Sequence, residues 1–388
     1  MSNRFGLKGN IALMVSHCAG MLDLVALPLW IGVLVATYQF DPQQAGGLVT
    51  LFLIGAVLAS VTLAPKFKQL KRRAVASLGF LLSGICFLTA SQISDFIPLA
   101  FLHFGAGVCA SAALSMAHGT LARSVNPHRL FAIAGFSLGV MGLLFMGATP
   151  NIIQAVGGTS LFLIFGAIMM VGSLACALAF PALSFNESTQ GQQAPNVNAT
   201  IPKSVWYGIV GISLMAVTQA MTFSFMERVG NDRGFSADSI TLVLVALAVI
   251  NIVAAALAGI LETKISAKWV LIIGPVLQII FANIMMNASS FPFYAVSAAF
   301  FVSLMLFTHT FVFGLLARLD TSGRAMAATP AMLMIGAAVG PILGGTLVKL
   351  VGYHGIGLAT IVFGCISLYC FTRVFARQDI ATKPKLAL

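Results

Sequence analysis

The chain has 388 residues, of which 59% are hydrophobic and only 8% charged, and its mean hydropathy of +1.00 lies far outside the range of ordinary soluble domains. Its net charge of +11 comes from basic residues confined to short connectors, with no basic helix or basic–aromatic stripe, which excludes nucleic acid as a partner. The composition is that of a polytopic membrane protein surrounded by lipid.

A spanning helix needs about 20 mostly apolar residues. The first such run, 10–37, is too long for the apolar region of a signal peptide and has no small-residue cleavage site after it. At its middle stands Asp23, and no other Asp or Glu is expected as deep in any span. An ionised group at the bilayer centre is costly, so it marks a functional site by default. His17 lies closer to the N-terminus on the same run, and Trp30 follows Asp23 by seven residues and so shares its helical face.

Further runs follow at 43–64 and 74–92, joined by a connector whose basic end is Lys71-Arg72-Arg73. In the fourth span, 96–122, the residues His103, Gly107, Ser111, Leu114 and His118 fall on one stripe. A polar stripe on a spanning helix should face protein or a water-filled cavity. His118 is expected at a depth similar to that of His17, and for each of them an interhelical hydrogen bond that gates or packs is a reading beside a direct part in transport. Arg129 opens the glycine-rich fifth span, 130–150, and the sixth covers 159–182.

The longest polar stretch, Ser184 to Lys203, is rich in Gln, Asn, Thr and Pro and reads as a flexible linker. It divides the chain into a bundle at 1–183, a linker at 184–203 and a bundle at 204–388, each bundle with six spans. Its two Asn-x-Ser/Thr triplets, at Asn186 and Asn198, are not expected to be glycosylated, because the loop should be cytoplasmic.

The second half runs 204–226, 238–261, 268–287, 291–317, 325–348 and 355–376. Gln219 and Phe223 lie in the seventh span, and Phe307 and His309 in the tenth; these four are candidate substrate contacts. Arg324 opens the eleventh span as Arg129 opens the fifth, and both precede glycine-rich helices, an offset of roughly 195 residues that points to internal repeats. With the N-terminus inside, eighteen Lys and Arg fall on one face and only Arg228, Arg233 and Lys349 on the other, so both termini are expected in the cytoplasm.

The six cysteines all fall inside apolar segments without zinc or disulfide spacing, and read as core. No HExxH, GxSxG or paired carboxylate occurs within the spans and no P-loop occurs anywhere, so neither an enzyme nor an ATP-driven pump is expected. No Lys or Arg lies deep in a span, which favours a neutral, zwitterionic, cationic or mostly apolar substrate over a phosphate ester or dicarboxylate.

The eleventh span carries Gly336-Ala-Ala-Val-Gly340-Pro341-Ile-Leu-Gly344-Gly345, and Asp320-Thr-Ser-Gly323-Arg324 precedes it. Together they make the chain resemble, over essentially its full length, the major facilitator superfamily. Met21-Leu-Asp23-Leu-Val-Ala-Leu-Pro28 is similar to an element of its drug–proton antiporters, with a shortened middle. Other motifs depart from the family pattern: Phe67 stands about where an aspartate is usual, Phe101 where many relatives have an arginine, and Gly147-Ala-Thr-Pro150 lacks the full antiporter signature.

The resemblance implies an all-α fold of twelve spans in two pseudo-symmetric six-helix bundles. The first, fourth, seventh and tenth spans would line a central cavity, with His103, Ser111, Gln219, His309, Trp30, Phe223 and Phe307 on its wall. Asp23 would couple transport to protons. His17, His118, Arg72, Arg73, Arg324, Gly336, Gly340, Pro341 and Gly344 would serve gating and conformational change. The expected activity is proton-coupled export of a small organic molecule from a monomer in the bacterial cytoplasmic (inner) membrane, with no cofactor and the proton gradient as coupling ion. Proton-symport uptake is the alternative. A divalent-metal carrier using Asp23 with His103 or His309 ranks below both.

Overall fold

The computed structural model describes residues 5–63, 66–67, 69–182, 202–262, 264–320 and 329–382, and every statement below concerns these. Arg324 and nearly all of the 184–203 linker fall outside them.

Twelve helices are long and apolar enough to cross a membrane: Leu7–Ala36, Pro42–Leu63, Arg72–Ala90, Phe96–Leu121, Arg129–Val156, Ser160–Ala179, Lys203–Asp232, Ala237–Leu261, Ala267–Asn287, Phe291–Leu316, Leu333–Val351 and Tyr353–Phe375. Helices are what lipid demands, because the backbone must satisfy its own hydrogen bonds there. No strand occurs among the described residues.

Three spans differ from the sequence expectation. The fifth continues through Pro150 to Val156; one proline removes a single backbone donor without ending a helix held by its neighbours. The first is broken at Met21 (φ −107°, ψ 19°) into Leu7–Gly20 and Leu22–Ala36. The seventh is broken at Phe225 (φ −104°, ψ 5°) into Lys203–Ser224 and Met226–Asp232, so it runs past the Met226 at which the apolar run gives out. Next to the second break the Ser224 hydroxyl donates back to the Ala220 carbonyl at 2.6 Å, a bond of the kind that bends helices.

The halves meet along one side of the molecule. The second span packs on the eleventh, the fifth on the eighth, and Leu22–Ala36 on both pieces of the seventh. Leu7–Gly20, the fourth span and the tenth pack within their own halves. The cross-half hydrogen bonds among the described residues lie toward the face opposite the termini, here called distal: Thr50 Oγ1 donates to Ala338 O (2.8 Å) and accepts from Ile342 N–H (3.2 Å), Gln43 Nε2 donates to Thr346 Oγ1 (3.2 Å), and Lys349 Nζ donates to Asp41 Oδ2 (2.8 Å) and Gln43 Oε1 (3.3 Å). These bonds tie the halves together at the distal face.

The glycines of the eleventh span explain the closeness. Gly336 and Gly340 lie against the backbone of the seventh span, and a Cβ at either would crowd Ala216 or Ala220. Gly344 packs on Met221 and Phe225 of the same span. Gly345 and Pro341 turn the other way, Gly345 against the Pro42 carbonyl and Pro341 O against Gly46 of the second span. One small-residue face binds the helix to its own half, and the other binds it to the opposite half.

Candidate functional site

Asp23 is the second residue of Leu22–Ala36, just past the break. The positive end of that half-helix favours an acid there. The side chain is half-buried and, among the described residues, forms no ion pair. It is a lone carboxylate at the start of a half-helix that packs against the other half.

Trp30 and His103 come together, but not on a cavity wall. Trp30 Nε1–H donates to His103 Nε2 at 3.2 Å, and His103 Nδ1 meets Leu99 O at 2.7 Å. With Nε2 accepting, Nδ1 must carry the proton, so the ring is fixed as one neutral tautomer. Both side chains are 1% exposed, and Trp30 sits edge-on to Phe52, Phe87 and Phe165 with centroids 4.9 to 5.7 Å away. The pair forms the interior of the N-terminal bundle. The sequence stripe could not reveal this, because a buried tryptophan offers the same hydrogen bond a substrate would.

Ser111 likewise bonds within its bundle, to Ser60 at 2.8 Å. His17 Nδ1 and His118 Nε2 lie 2.9 Å apart, bonding the first span to the fourth, with Phe131 of the fifth edge-on to His118. The Arg73 guanidinium reaches the Ala177 carbonyl at the end of the sixth span. At the same level the Arg123 and Arg72 guanidinium carbons lie 4.4 and 5.6 Å from the centroid of Phe67, the residue standing in an acid's place. Arginine over an aromatic face replaces an ion pair. The second half keeps the acid: Glu262 packs on Gly314 as Phe67 packs on Gly119, and Glu262 and Arg318 line one cavity. These three positions repeat at an offset of 195.

In the second half the seventh span carries the polar atoms that lack partners. Thr218 Oγ1, Gln219 Nε2, Thr222 Oγ1 and Glu227 Oε2 are buried without a hydrogen bond, as is Asn251 Oδ1 on the eighth. Buried polar groups are normally paired, so these atoms are exceptions within the second half. Gln219 Oε1 accepts from Gln278 Nε2 at 3.4 Å. His309 Nδ1 meets Met305 O at 2.9 Å and its ring is edge-on to Phe313. Phe307 is half-buried against Phe311, whereas Phe223 is only 4% exposed and belongs to the core.

Glu227 is the residue sequence reasoning missed: near the distal end of the seventh span rather than at the depth of Asp23, it is nonetheless turned into the protein. The run Met226-Glu-Arg-Val-Gly-Asn-Asp232 looks like a solvated span end. It is helical, however, and Arg228 pairs with Asp232 at 2.7 Å, leaving Glu227 turned inward. Asn231 Nδ2 donates to Glu227 Oε1. Glu227 Oε2 packs on Gly32, where a Cβ would overlap it. The available signal was the helical continuation: Arg228 and Asp232 satisfy each other at i, i+4, and the third charge is left without a partner. A cavity of about 230 Å³ opens beside the carboxylate, with Thr37, Gln154, Asn231 and Thr241 among its lining.

Among the described residues no group of three or more His, Cys, Asp or Glu side chains is placed to hold a metal ion, so Asp23, His103 and His309 do not form one.

A family model described as Major Facilitator Superfamily matches residues 12–228 and 208–387. No curated protein matches the chain in sequence. Among solved structures it is similar to a bacterial homolog of the human lysosomal transporter Spinster, in inward-facing and occupied conformation (TM-score 0.70, 15% identity, 95% of this chain and 96% of that one). It is also similar to the nucleoside transporter NupG (TM-score 0.68, 15% identity, 95% and 98%) and to a D-xylose-proton symporter (TM-score 0.71, 15% identity, 95% and 97%). At such identities the likeness is one of fold.

Proposed function

The chain belongs to the Major Facilitator Superfamily and is a multi-pass membrane transporter rather than an enzyme, and from that premise we propose that it exports a small neutral, cationic or amphipathic organic molecule across the cytoplasmic membrane in exchange for protons. The carrying observation is the setting of Asp23: half-buried, without an ion pair among the described residues, at the start of the half-helix that follows a break in the span and packs against the other half. A carboxylate so placed can meet water from one face when the halves part there and be shielded when they close. Alternating exposure lets it take up a proton from one side and release it to the other.

The substrate reading follows from the residue types of the spans: Gln219 of the seventh has an amide Nε2 without a partner, and no Lys or Arg lies deep in a span to recognise an anion. The basic residues gather on the face bearing the termini, which makes that face cytoplasmic by the positive-inside rule. Distal closure is then an inward-facing state.

The test uses purified protein in proteoliposomes with ethidium as cationic amphipathic probe and an imposed proton gradient. Wild type drives the dye toward the acidic compartment, and Asp23→Asn binds dye but does not concentrate it. Gradient-driven accumulation by Asp23→Asn at the wild-type rate removes Asp23 from the mechanism. The incomplete antiporter pattern at Gly147 to Pro150 favours a second reading, uptake by proton symport; in that case the substrate moves away from the acidic compartment.

A further inference from the structure

We propose that Glu227, in the cavity against Gly32, is a second proton site: it carries its proton while the distal gate is closed and releases it to water on the distal face when that gate opens. The inference rests on the alternating-access reading but not on Asp23.

The geometry is that of an interface switch. By the offset of 195 that relates Phe67 to Glu262 and Arg123 to Arg318, Glu227 corresponds to Gly32, the residue it touches. Equivalent positions that touch lie on the pseudo-twofold axis between the halves, so this contact separates whenever the distal gate opens. One carboxylate oxygen accepts from Asn231; the other is buried with no partner. An ionised carboxylate with one oxygen buried and unpaired is strongly disfavoured. As the neutral acid the same group needs only the Asn231 bond and can turn its O–H toward the cavity.

The surrounding charges leave this assignment intact. On the same segment Arg228 is engaged by Asp232, whose Oδ2 also accepts from Tyr353 of the twelfth span. Arg233 is spent on the Met286 and Ala288 carbonyls. From the tenth span Tyr294 gives its hydroxyl to Met226 O. The eighth span brings Asp238 in its exposed first turn. The first span's Leu22–Ala36 brings only Asp23, nine residues from Gly32 and so about 13 Å along the helix axis, with His17 and Lys8 farther off on Leu7–Gly20, and the ninth span's one charged residue, Lys268, lies at its opposite end. No cation in this set is placed to hold Glu227 as an anion.

Two measurements test the proposal. The first labels intact wild-type protein with dicyclohexylcarbodiimide, which modifies protonated carboxyls in apolar settings, and reads the adducts by peptide mass spectrometry. Modification of Glu227 is expected at acid and neutral pH and should disappear at alkaline pH. The second places spin labels at Gln92→Cys and Ser290→Cys, one on each half at the distal face, in a background lacking the native cysteines. The distal distance should lengthen as pH rises in wild type and in Asp23→Asn, and should stay short at every pH in Glu227→Gln. A Glu227→Gln protein that opens with pH as wild type does overturns the proposal, as does the lack of a Glu227 adduct at every pH. Loss of proton-driven transport in Asp23→Asn leaves both readouts unmoved, so the two readings fail separately.

Discussion

Lys349 Nζ lies 2.8 Å from Asp41 Oδ2 and 3.3 Å from Gln43 Oε1, which joins the distal end of the eleventh span to the start of the second. Partial burial pushes the Asp41 carboxyl up, but the hydrogen bond and charge of Lys349, with the backbone N–H groups of Gln44 and Gln43, outweigh it and hold the group below its ordinary 3.8. A carboxylate depressed in one state stabilises that state above its ordinary pKa, and the contribution fades as pH falls through the lowered value. The latch therefore favours distal closure at neutral pH and weakens only in strong acid.

Lys349→Met should raise the distal-open population by up to about fivefold at pH 7, with a smaller effect as pH falls into strong acid. Both side chains are more than a third exposed (45% and 34%), so the pair is worth roughly 0.2–1 kcal/mol. Distances between labels on the two halves measure this directly. An unchanged distribution at pH 7 would show that the pair is incidental to closure.

Gly345→Val and Gly336→Val should part company. A side chain at 345 meets the Pro42 carbonyl of the opposite half, so that variant cannot close fully and should lose the disulfide formed by a Gln43→Cys, Thr346→Cys pair. A side chain at 336 meets Ala216 and Ser213 of its own half, so that variant should lose thermal stability. Equal effects on both readouts would mean the two glycine faces do not divide as described.

His103→Leu removes the acceptor for Trp30 and leaves that N–H buried in an aromatic cluster, a loss of about 1–3 kcal/mol. Melting temperature should drop several degrees while KM for transported dye stays within about twofold, since each kcal/mol moves the melting point of a large domain by a few degrees. A raised KM with unaltered melting would place the histidine in the substrate path after all.

Phe67→Leu keeps an apolar side chain but loses the ring beneath Arg123 and Arg72, and should cost roughly 0.5–2 kcal/mol. Phe67→Asp offers an ionic partner instead. Salt screens exposed ion pairs, with a Debye length of about 3 Å at 1 M, so the Asp variant should lose more stability in 1 M salt than wild type. Parallel salt responses would remove the ring–guanidinium contact as the reason Phe67 is tolerated.

Much of the architecture was legible because lipid leaves the chain few options. A long apolar run must be a helix, and charge asymmetry must orient it, so twelve spans and their alternation followed from the residues alone. The sequence put His17 and His118 at similar depth, but only the packing of the first span on the fourth shows that they bond to each other. Periodicity could not say which neighbour a stripe would meet: Trp30 lies seven residues past Asp23 on the same helix, but rings from four other spans enclose it in the interior of its bundle. Glu227 escaped for the complementary reason, since a charged run at a span end reads as solvated until its internal ion pair is seen.

By itself, then, the sequence determined the class, the number of spans and the placement of Asp23 on the first of them, because hydrophobic length and charge are local properties summed along the chain. Only the tertiary structure decided which polar groups are satisfied and which are left open. Hydrogen bonding and burial depend on residues a hundred or more positions away, brought to within 3 Å by helix packing.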